Sequence, residues 1–122
     1  MQDRPTAAEL VEAVREFLER DVMAAVDGRI AFHTRVTLNV LATVQRELEL
    51  GVAQDQAQRE RLLALLGHAA SSQRSARELE AELAALIRDD ALPHNLYQTA
   101  TDHIRETVRE KLLVANPKYL DS

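Results

Sequence analysis

The sequence predicts an all-α protein, and three observations lead to this prediction. Ala and Leu dominate the apolar residues, whereas Gly and Pro number only three each, a composition typical of helices. Two capping boxes, one at Thr6 with Glu9 and one at Ser75 with Glu78, indicate where helices begin. Apolar residues also recur at intervals of three and four, the period of an amphipathic helix. We therefore expect a bundle of about five helices, three long and two short.

The first two long helices are predicted from their caps and breakers. The first capping box opens a helix over residues 7–26, which Asp27 and Gly28 end with a turn. The longest apolar segment, residues 29–50, lies between two glycines and predicts an uninterrupted central helix. On that helix we expect one apolar face to be buried, formed by Ile30, Val36, Val40, Leu41, Val44 and Leu48.

Two short helices and a third long one complete the prediction. Residues 56–66 are predicted to form a short helix that a following glycine ends, and Ser75 caps another that continues to about Arg88. The last long helix covers residues 95–115 and stops before Pro117. Residues 1–122 have the length of one domain, so we expect a single helical-bundle domain.

Composition excludes several classes of function. A net charge of −5 argues against a surface that binds nucleic acid non-specifically, and 3% aromatic residues offer few platforms for base stacking. The chain has no Cys, which excludes disulfides and thiolate metal sites. Its N-terminus lacks the apolar region of a secretory signal, and no apolar run is long enough to cross a membrane. We therefore expect no membrane contact, and the missing Cys is compatible with a reducing cytoplasm.

Three stretches together resemble one small bacterial family. They are DRPTAAELVEAVREFLERDV, DGRIAFHTRVTLNVLATVQRELELG and REKLLVANPKYL. The family is a helical domain of unknown function, often encoded beside acyl-CoA dehydrogenases and aminoglycoside-phosphotransferase-like kinases. The resemblance implies a cytoplasmic accessory role in acyl-CoA or phosphotransferase metabolism, and it assigns no catalytic residue.

One set of polar residues is a candidate site. Asp21, His33 and Lys111 each lie within or beside the apolar face of a long helix. If the three helices pack together, these groups form a buried polar cluster, and such clusters are candidates for acid–base chemistry. The alternative is a structural contact in which Asp21 orients His33 or pairs with Arg29 or Lys111. We favour this structural interpretation, because buried polar groups are usually satisfied for packing reasons.

The central helix also offers a candidate interface on the side away from its main apolar face. Arg and aromatic residues are favoured at protein interfaces, and the helix carries apolar residues on nearly all sides. The candidate interface residues are Arg29, Phe32, Arg35, Asn39 and Arg46. The alternative is a solvated face with extended side chains.

Motifs for metal, nucleophilic or phosphate chemistry are missing from the sequence. The four His residues have no metal-ligand spacing, so no metal and no cofactor are expected. Ser71, Ser72 and Ser75 are explained by turns and capping, without a nucleophile elbow around them. The three glycines form no phosphate-binding loop.

Three functions remain open at this level. We favour a non-enzymatic helical interaction module that associates with itself or with a neighbouring metabolic enzyme. The first alternative is a protein that binds a small molecule or acyl chain between its helices. The second is an enzyme that uses Asp21, His33 and Lys111.

Overall fold

A computed structural model describes residues 3–121, and 82% of the protein is helical. Within those residues there is no β-strand, so the predicted all-α class is confirmed. The described part of the chain has four helices, and the predicted count of about five is not confirmed. The first, α1, is α-helical over Ala7–Phe17, continues as a π-helical turn over Leu18–Val22 and ends with Met23–Ala25. The others are α2 (Gly28–Leu66), α3 (Ala76–Arg88) and α4 (Tyr97–Ala115).

The first capping box forms as predicted. The Thr6 hydroxyl accepts a hydrogen bond from the Glu9 backbone N–H at 3.2 Å, and the Glu9 carboxylate accepts from the Thr6 N–H at 3.1 Å. Two donors that a helix start leaves without partners are thereby satisfied. This local pairing explains why α1 begins at Ala7.

The predicted stop at Gly51 is wrong, because α2 runs through it without a break. The segment after Gly51 is polar but rich in Ala, Gln, Glu and Arg, which are good helix formers. A single Gly inside a helix costs only about 1 kcal/mol relative to Ala, too little to end a helix with such flanks. The predicted helix over residues 56–66 is therefore the second part of α2, whose 39 residues extend for about 58 Å.

The ends of α2 and α3 use the same backbone motif. After α2, the His68 N–H donates to the Leu63 carbonyl and the Gly67 N–H to the Ala64 carbonyl, with Gly67 at φ 73°. This is a Schellman motif, in which a left-handed residue ends the helix, as predicted for Gly67. After α3 the same position is taken by Asp90 at φ 52°. The Ser75 hydroxyl caps the start of α3 by accepting from the Glu78 N–H at 3.1 Å.

The last helix is reached through a short 3-10 segment. His94–Leu96 forms this segment directly after Pro93, and α4 then continues to Ala115, the predicted end. Pro117–Asp121 forms a final 3-10 turn. None of the helices in the described part of the chain has the length and hydrophobicity that a membrane crossing requires.

The chain divides into two compact units, and each is described here separately. Unit 1 comprises the residues up to Gly51 together with those from Leu113 onwards, and unit 2 comprises Val52–Leu112. This division does not test whether the chain is a single domain, which stays a prediction.

Unit 2 has a closed hydrophobic core. Leu62 and Leu79 have no exposed surface, and Leu83 is 2% exposed. Burying a Leu side chain contributes about 1.5–3 kcal/mol, so this cluster is a main favourable contribution to the folding of the unit. The core consists of Leu62, Leu63, Leu65, Leu79, Leu83, Leu92 and Ala100, with Leu66, Leu86 and Leu96 packed against it.

Unit 1 buries much less. Among its described residues only Ala31, Thr34 and Val114 are buried. The buried hydroxyl of Thr34 is satisfied within its own helix, since it donates to the Ile30 carbonyl at 2.7 Å. The large apolar side chains that α1 and α2 leave exposed in this unit are Leu10, Val14, Phe17, Ile30, Phe32, Val36, Val40, Val44 and Leu48.

The apolar face predicted to be buried on the central helix is therefore mostly exposed. Val40 keeps 56% of its surface accessible, and of the six predicted residues only Leu41 is half-buried. The side of α2 that turns inward in unit 1 is rotated away from this face and shares only Leu41 with it. It carries two leucines beside small or polar residues, and its members are Ala31, Thr34, Leu38, Leu41, Ala42 and Gln45. The sequence pattern located an amphipathic helix correctly but assigned the wrong side to the interior.

Candidate functional site

The predicted buried cluster of Asp21, His33 and Lys111 does not exist as a buried group. All three side chains are exposed. The reason is the same error in helix phase, since His33 lies on the exposed side of α2 with Val36 and Val40. Its ring meets the ring of Phe32 edge-on, with 5.4 Å between the centroids. Asp21 and His33 belong to unit 1, whereas Lys111 belongs to unit 2.

The buried histidine of this protein is His103 on α4, in unit 2. Its side chain is 3% exposed, and both ring nitrogens are engaged. The Arg61 guanidinium donates from Nε to Nδ1 at 3.1 Å. Because Arg can only donate, Nδ1 must carry the lone pair and Nε2 the proton. Nε2 then donates to a Glu80 carboxylate oxygen at 2.5 Å.

Arg61 connects this histidine to the next turn of α4. Its Nη2 donates to the Thr107 hydroxyl at 3.2 Å and to the Glu110 carboxylate at 2.7 Å. Glu80 in turn accepts from the Gln58 amide at 3.0 Å. Each member of the network thus has a partner, which is how a buried polar group avoids the cost of desolvation. With the Nδ1 lone pair occupied, His103 has no free base nitrogen, and the arrangement holds α2, α3 and α4 of unit 2 together.

A cavity of about 370 Å³ adjoins this network in unit 2. Cavities of 300–1,000 Å³ with apolar walls and a few polar groups are typical of small-molecule sites. Arg61 and His103 supply polar groups at its wall, together with Thr99 and Asp102, and the rest is apolar. The lining residues are Arg61, Ala64, Leu65, Leu96, Thr99, Asp102 and His103.

A second polar cluster fixes the loop between α2 and α3. His68 Nε2 lies 2.9 Å from a Glu82 carboxylate oxygen, and the Arg74 guanidinium donates to the same carboxylate. Hydrogen bonds from His68 and then from Arg74 lower the pKa of Glu82 below its ordinary value, because both stabilise the ionised carboxylate. Arg59 Nε also donates to the Arg74 carbonyl at 2.8 Å. The cluster is a structural clasp for this loop.

In unit 1 the most distinctive feature is the exposed side of α2, which we call the α2 apolar face. At 100° per residue its members cover an arc of about 160°, from Phe32 to Leu48, next to the inward side of the helix. Rows of this kind at i, i+4 are ridges that dock against another helix. The α2 apolar face consists of Ile30, Phe32, Val36, Val40, Val44 and Leu48.

Helix α1 adds to this surface. It runs antiparallel to the first part of α2, since Arg15 Nη1 donates to the Gln45 amide oxygen at 2.6 Å and Glu19 shares a cavity with Arg35. Viewed along its own chain direction, each helix has its exposed apolar row rotated in the same sense from the side that packs against the other helix. Because the two helices are antiparallel, both rows lie on the same side of the helix pair. The row on α1 is Leu10, Val14 and Phe17.

Two exposed charged residues border the α2 apolar face, one at each end. Arg29 and Glu47 are 18 residues apart, which is five full turns, so they lie at the same angle and about 27 Å apart along the axis. His33 and the two threonines Thr37 and Thr43 are the polar residues between them on this arc. Apart from these three residues the face is apolar between its two oppositely charged ends.

The predicted interface residues are divided between two sides of α2. Phe32 belongs to the α2 apolar face and Arg29 lies at one end of it, whereas Arg35 and Asn39 lie outside its arc and line a cavity of about 260 Å³ with Arg15 and Glu19. Arg46 is half-buried and has an internal role, because its Nε donates to the Val114 carbonyl at 2.7 Å. The other four residues are exposed, and their part in an interface stays a prediction.

Sequence reasoning missed the Arg61–His103 network, although the sequence contained a sign of it. In unit 2 the inward residues from the end of the 3-10 segment into α4 follow alternating steps of four and three: Leu96, Ala100, His103, Thr107 and Glu110. This is the heptad spacing of a helix packed along its length. The apolar residues Ile104 and Val108 pointed to a neighbouring face, which is exposed. Within residues 3–121 no three His, Asp or Glu side chains could together hold a metal ion.

Comparison with protein families gives a match over most of the chain. A family model described as a domain of unknown function (DUF6285) matches residues 24–119. The matched region contains the α2 apolar face and the Arg61–His103 network, and it begins near the end of α1. No curated protein and no solved structure matches the chain significantly.

Proposed function

Because the chain belongs to the DUF6285 family, whose function is unknown, its role has to be inferred from its own residues, and we propose that it is a self-associating helical interaction module. The observation that carries this proposal is the contrast in burial: unit 1 leaves nine large apolar side chains of α1 and α2 exposed, and among its described large apolar residues it fully buries only Val114. A second copy of the chain would supply the missing cover.

The amount of apolar surface matches what a dimer needs. A standard interface buries about 800 Å² per partner, of which roughly 60% is apolar. A half-exposed Leu, Val or Phe offers roughly 50 Å² of apolar side-chain surface, and burying such surface contributes about 25 cal/mol per Å². The nine exposed apolar residues of α1 and α2 in unit 1 therefore offer on the order of 450 Å². This is close to the apolar part of one standard interface.

Light scattering coupled to size-exclusion chromatography tests the proposal. We expect the wild-type chain to elute as a dimer, and Val40→Glu to raise its dissociation constant by at least about 30-fold, because a charge at the centre of an interface removes a hot spot. Val40 is already exposed within the chain, so the variant should keep the helical circular dichroism of the wild type. A helical monomer at all concentrations would exclude self-association.

The matched control is Ile87→Glu. Ile87 is also an exposed apolar residue, but it lies on α3 in unit 2. The same substitution there should leave the dissociation constant unchanged. Equal weakening by both variants would mean that the α2 apolar face is not the contact surface.

A second candidate function is binding of a small apolar molecule with a polar end in the cavity beside Arg61 and His103. The cavity in unit 2 supports it, because its walls are mostly apolar and its polar groups are concentrated in a few residues. Titration calorimetry with octanoate tests this function. Ala64→Phe, at an exposed wall position, should abolish the heat of binding, whereas Ala84→Phe on α3 should not. No heat with the wild type would exclude a carboxylate ligand of this size.

The cellular setting is part of the same proposal. The gene neighbours that the sequence resemblance implies favour a cytoplasmic accessory role beside an acyl-CoA dehydrogenase or an aminoglycoside-phosphotransferase-like kinase. Co-purification of the tagged chain with the dehydrogenase or the kinase encoded beside it tests this role. It would be contradicted if neither enzyme bound when both were expressed with the chain.

A further inference from the structure

We infer that two copies of this chain associate through their α2 helices in an antiparallel, two-fold arrangement centred near residue 38. This inference rests on the proposed self-association and adds its geometry. It is carried by the positions of the two charged ends of the α2 apolar face, and the positions of its apolar residues are compatible with it.

The charges determine the direction. Arg29 and Glu47 are the only Arg, Lys, Asp or Glu residues on the arc of this face between residues 29 and 48, and both are exposed. A parallel pair would place Arg29 against Arg29 and Glu47 against Glu47, which is repulsive. An antiparallel pair places each Arg29 near Glu47 of the other copy and forms two ion pairs related by symmetry. Charge complementarity therefore selects the antiparallel direction.

The apolar residues are compatible with the register that the charges select. Pairing Arg29 with Glu47 of the other copy places the two-fold axis near residue 38. The same axis sets Val36 opposite Val40 of the other copy and Phe32 opposite Val44, with Ile30 within two residues of Leu48. A shift by one turn moves the axis to residue 40 and also pairs the apolar row, but it leaves Arg29 about 6 Å along the axis from Glu47 of the other copy. The charges therefore decide between the two registers.

Charge reversal distinguishes this arrangement from other forms of self-association. We expect Arg29→Glu and Glu47→Lys each to weaken the dimer by about tenfold in 20 mM salt, because exposed ion pairs are individually modest and act over the long screening length of dilute salt. The double variant Arg29→Glu/Glu47→Lys should restore the wild-type dissociation constant, since it exchanges the two charges. The measurement is sedimentation equilibrium at several protein concentrations.

Controls with the same change in charge lie on the opposite side of α2. Arg35→Glu and Glu60→Lys involve exposed residues away from the arc of the face, and both should leave the dissociation constant unchanged. A dimer that no charge reversal affects would overturn the antiparallel register while leaving self-association intact. A chain that never dimerises would instead overturn the proposed function itself.

Distance measurement provides a second readout that does not depend on the ion pairs. The chain has no native Cys, so single spin labels can be attached at Arg35→Cys, which is exposed and outside the face, or at Asp27→Cys. In the antiparallel register the two copies of position 35 are about 9 Å apart along the axis and those of position 27 about 33 Å apart. Electron–electron distances should accordingly be short for the first label and long for the second. Short distances for both labels would show a parallel pair and overturn the inference.

Discussion

The two units use amphipathic helices in opposite ways. In unit 2 the leucines of α2 and α3 meet in a closed core, and Leu62 and Leu79 are fully buried. In unit 1 the helices turn Ala31 and Thr34 inward and leave Val40 and its neighbours on the surface. The difference shows that a strongly apolar helix face predicts contact with something, but not contact within the same chain. Four predictions test this contrast, in order of decreasing effect.

The largest effect is expected in the core of unit 2. Leu79→Ala should lower the free energy of unfolding by about 2–5 kcal/mol, because it removes buried methyl groups and leaves a cavity. Val40→Ala in unit 1, measured by urea unfolding at concentrations where the chain is monomeric, should change it by less than about 0.5 kcal/mol. Similar losses for the two variants would mean that unit 1 has a core of its own.

The two histidines provide the next comparison. His103→Ala should cost about 2–3 kcal/mol, because it leaves the Arg61 and Glu80 side chains with a lost partner in a largely buried place. His33→Ala should stay within about 0.5 kcal/mol, since the His33 ring is exposed. Thermal unfolding of both variants measures the difference. A larger cost at position 33 would mean that His33 is buried, as the sequence pattern predicted.

A pair of glycines tests where backbone freedom matters. Gly51→Ala should stabilise the chain by about 0.5–1 kcal/mol, because Gly51 lies inside α2 and weakens it there. An added Cβ would lie 3.1 Å from a carboxylate oxygen of Glu47, the movable end of an exposed side chain. Gly67→Ala should destabilise by about 1 kcal/mol, since φ is 73° there. The measurement is urea unfolding, and a loss at Gly51 would indicate that something closely approaches that position.

The smallest effect concerns the clasp of the α2–α3 loop in unit 2. The pKa of Glu82 is lowered in the folded chain by hydrogen bonds from His68 and Arg74. The clasp therefore contributes stability above the ordinary pKa of a glutamate, and this contribution is lost as the pH falls through the lowered value. Glu82→Gln should unfold at a lower temperature than the wild type at pH 7, and the two melting curves should converge in acid. A constant difference at all pH values would contradict this assignment.

The fold class and most helix ends could be predicted from the sequence because they depend on local chemistry. The Thr6–Glu9 capping box, the Ser75 cap, the left-handed Gly67 and the stop before Pro117 all act within a few residues. Gly51 was misjudged because a glycine ends a helix only where its neighbours do not favour helix. The flanking Gln, Ala and Glu residues do favour it.

The sites were harder to predict than the helices. The sequence pattern placed His33 in the interior and overlooked His103. Hydrophobic periodicity favours rows rich in Val and Ile as the buried side of a helix over rows with heptad spacing that contain Thr, His and Glu. The structure buries the second kind of row on α4, where Arg61 satisfies His103, Thr107 and Glu110 from the opposite helix. That compensation involves residues more than 40 positions apart, and no local pattern contains it.

The sequence by itself determined that this protein is helical and where its helices begin and end, because caps, breakers and helix propensity act between residues close together in the chain. Only the tertiary structure decided which side of each helix is inside. That choice depends on which distant side chains fill the space or complete the hydrogen bonds opposite a given face. A stripe of valines gains equally from any apolar cover, and its own periodicity does not say whether that cover belongs to the same chain.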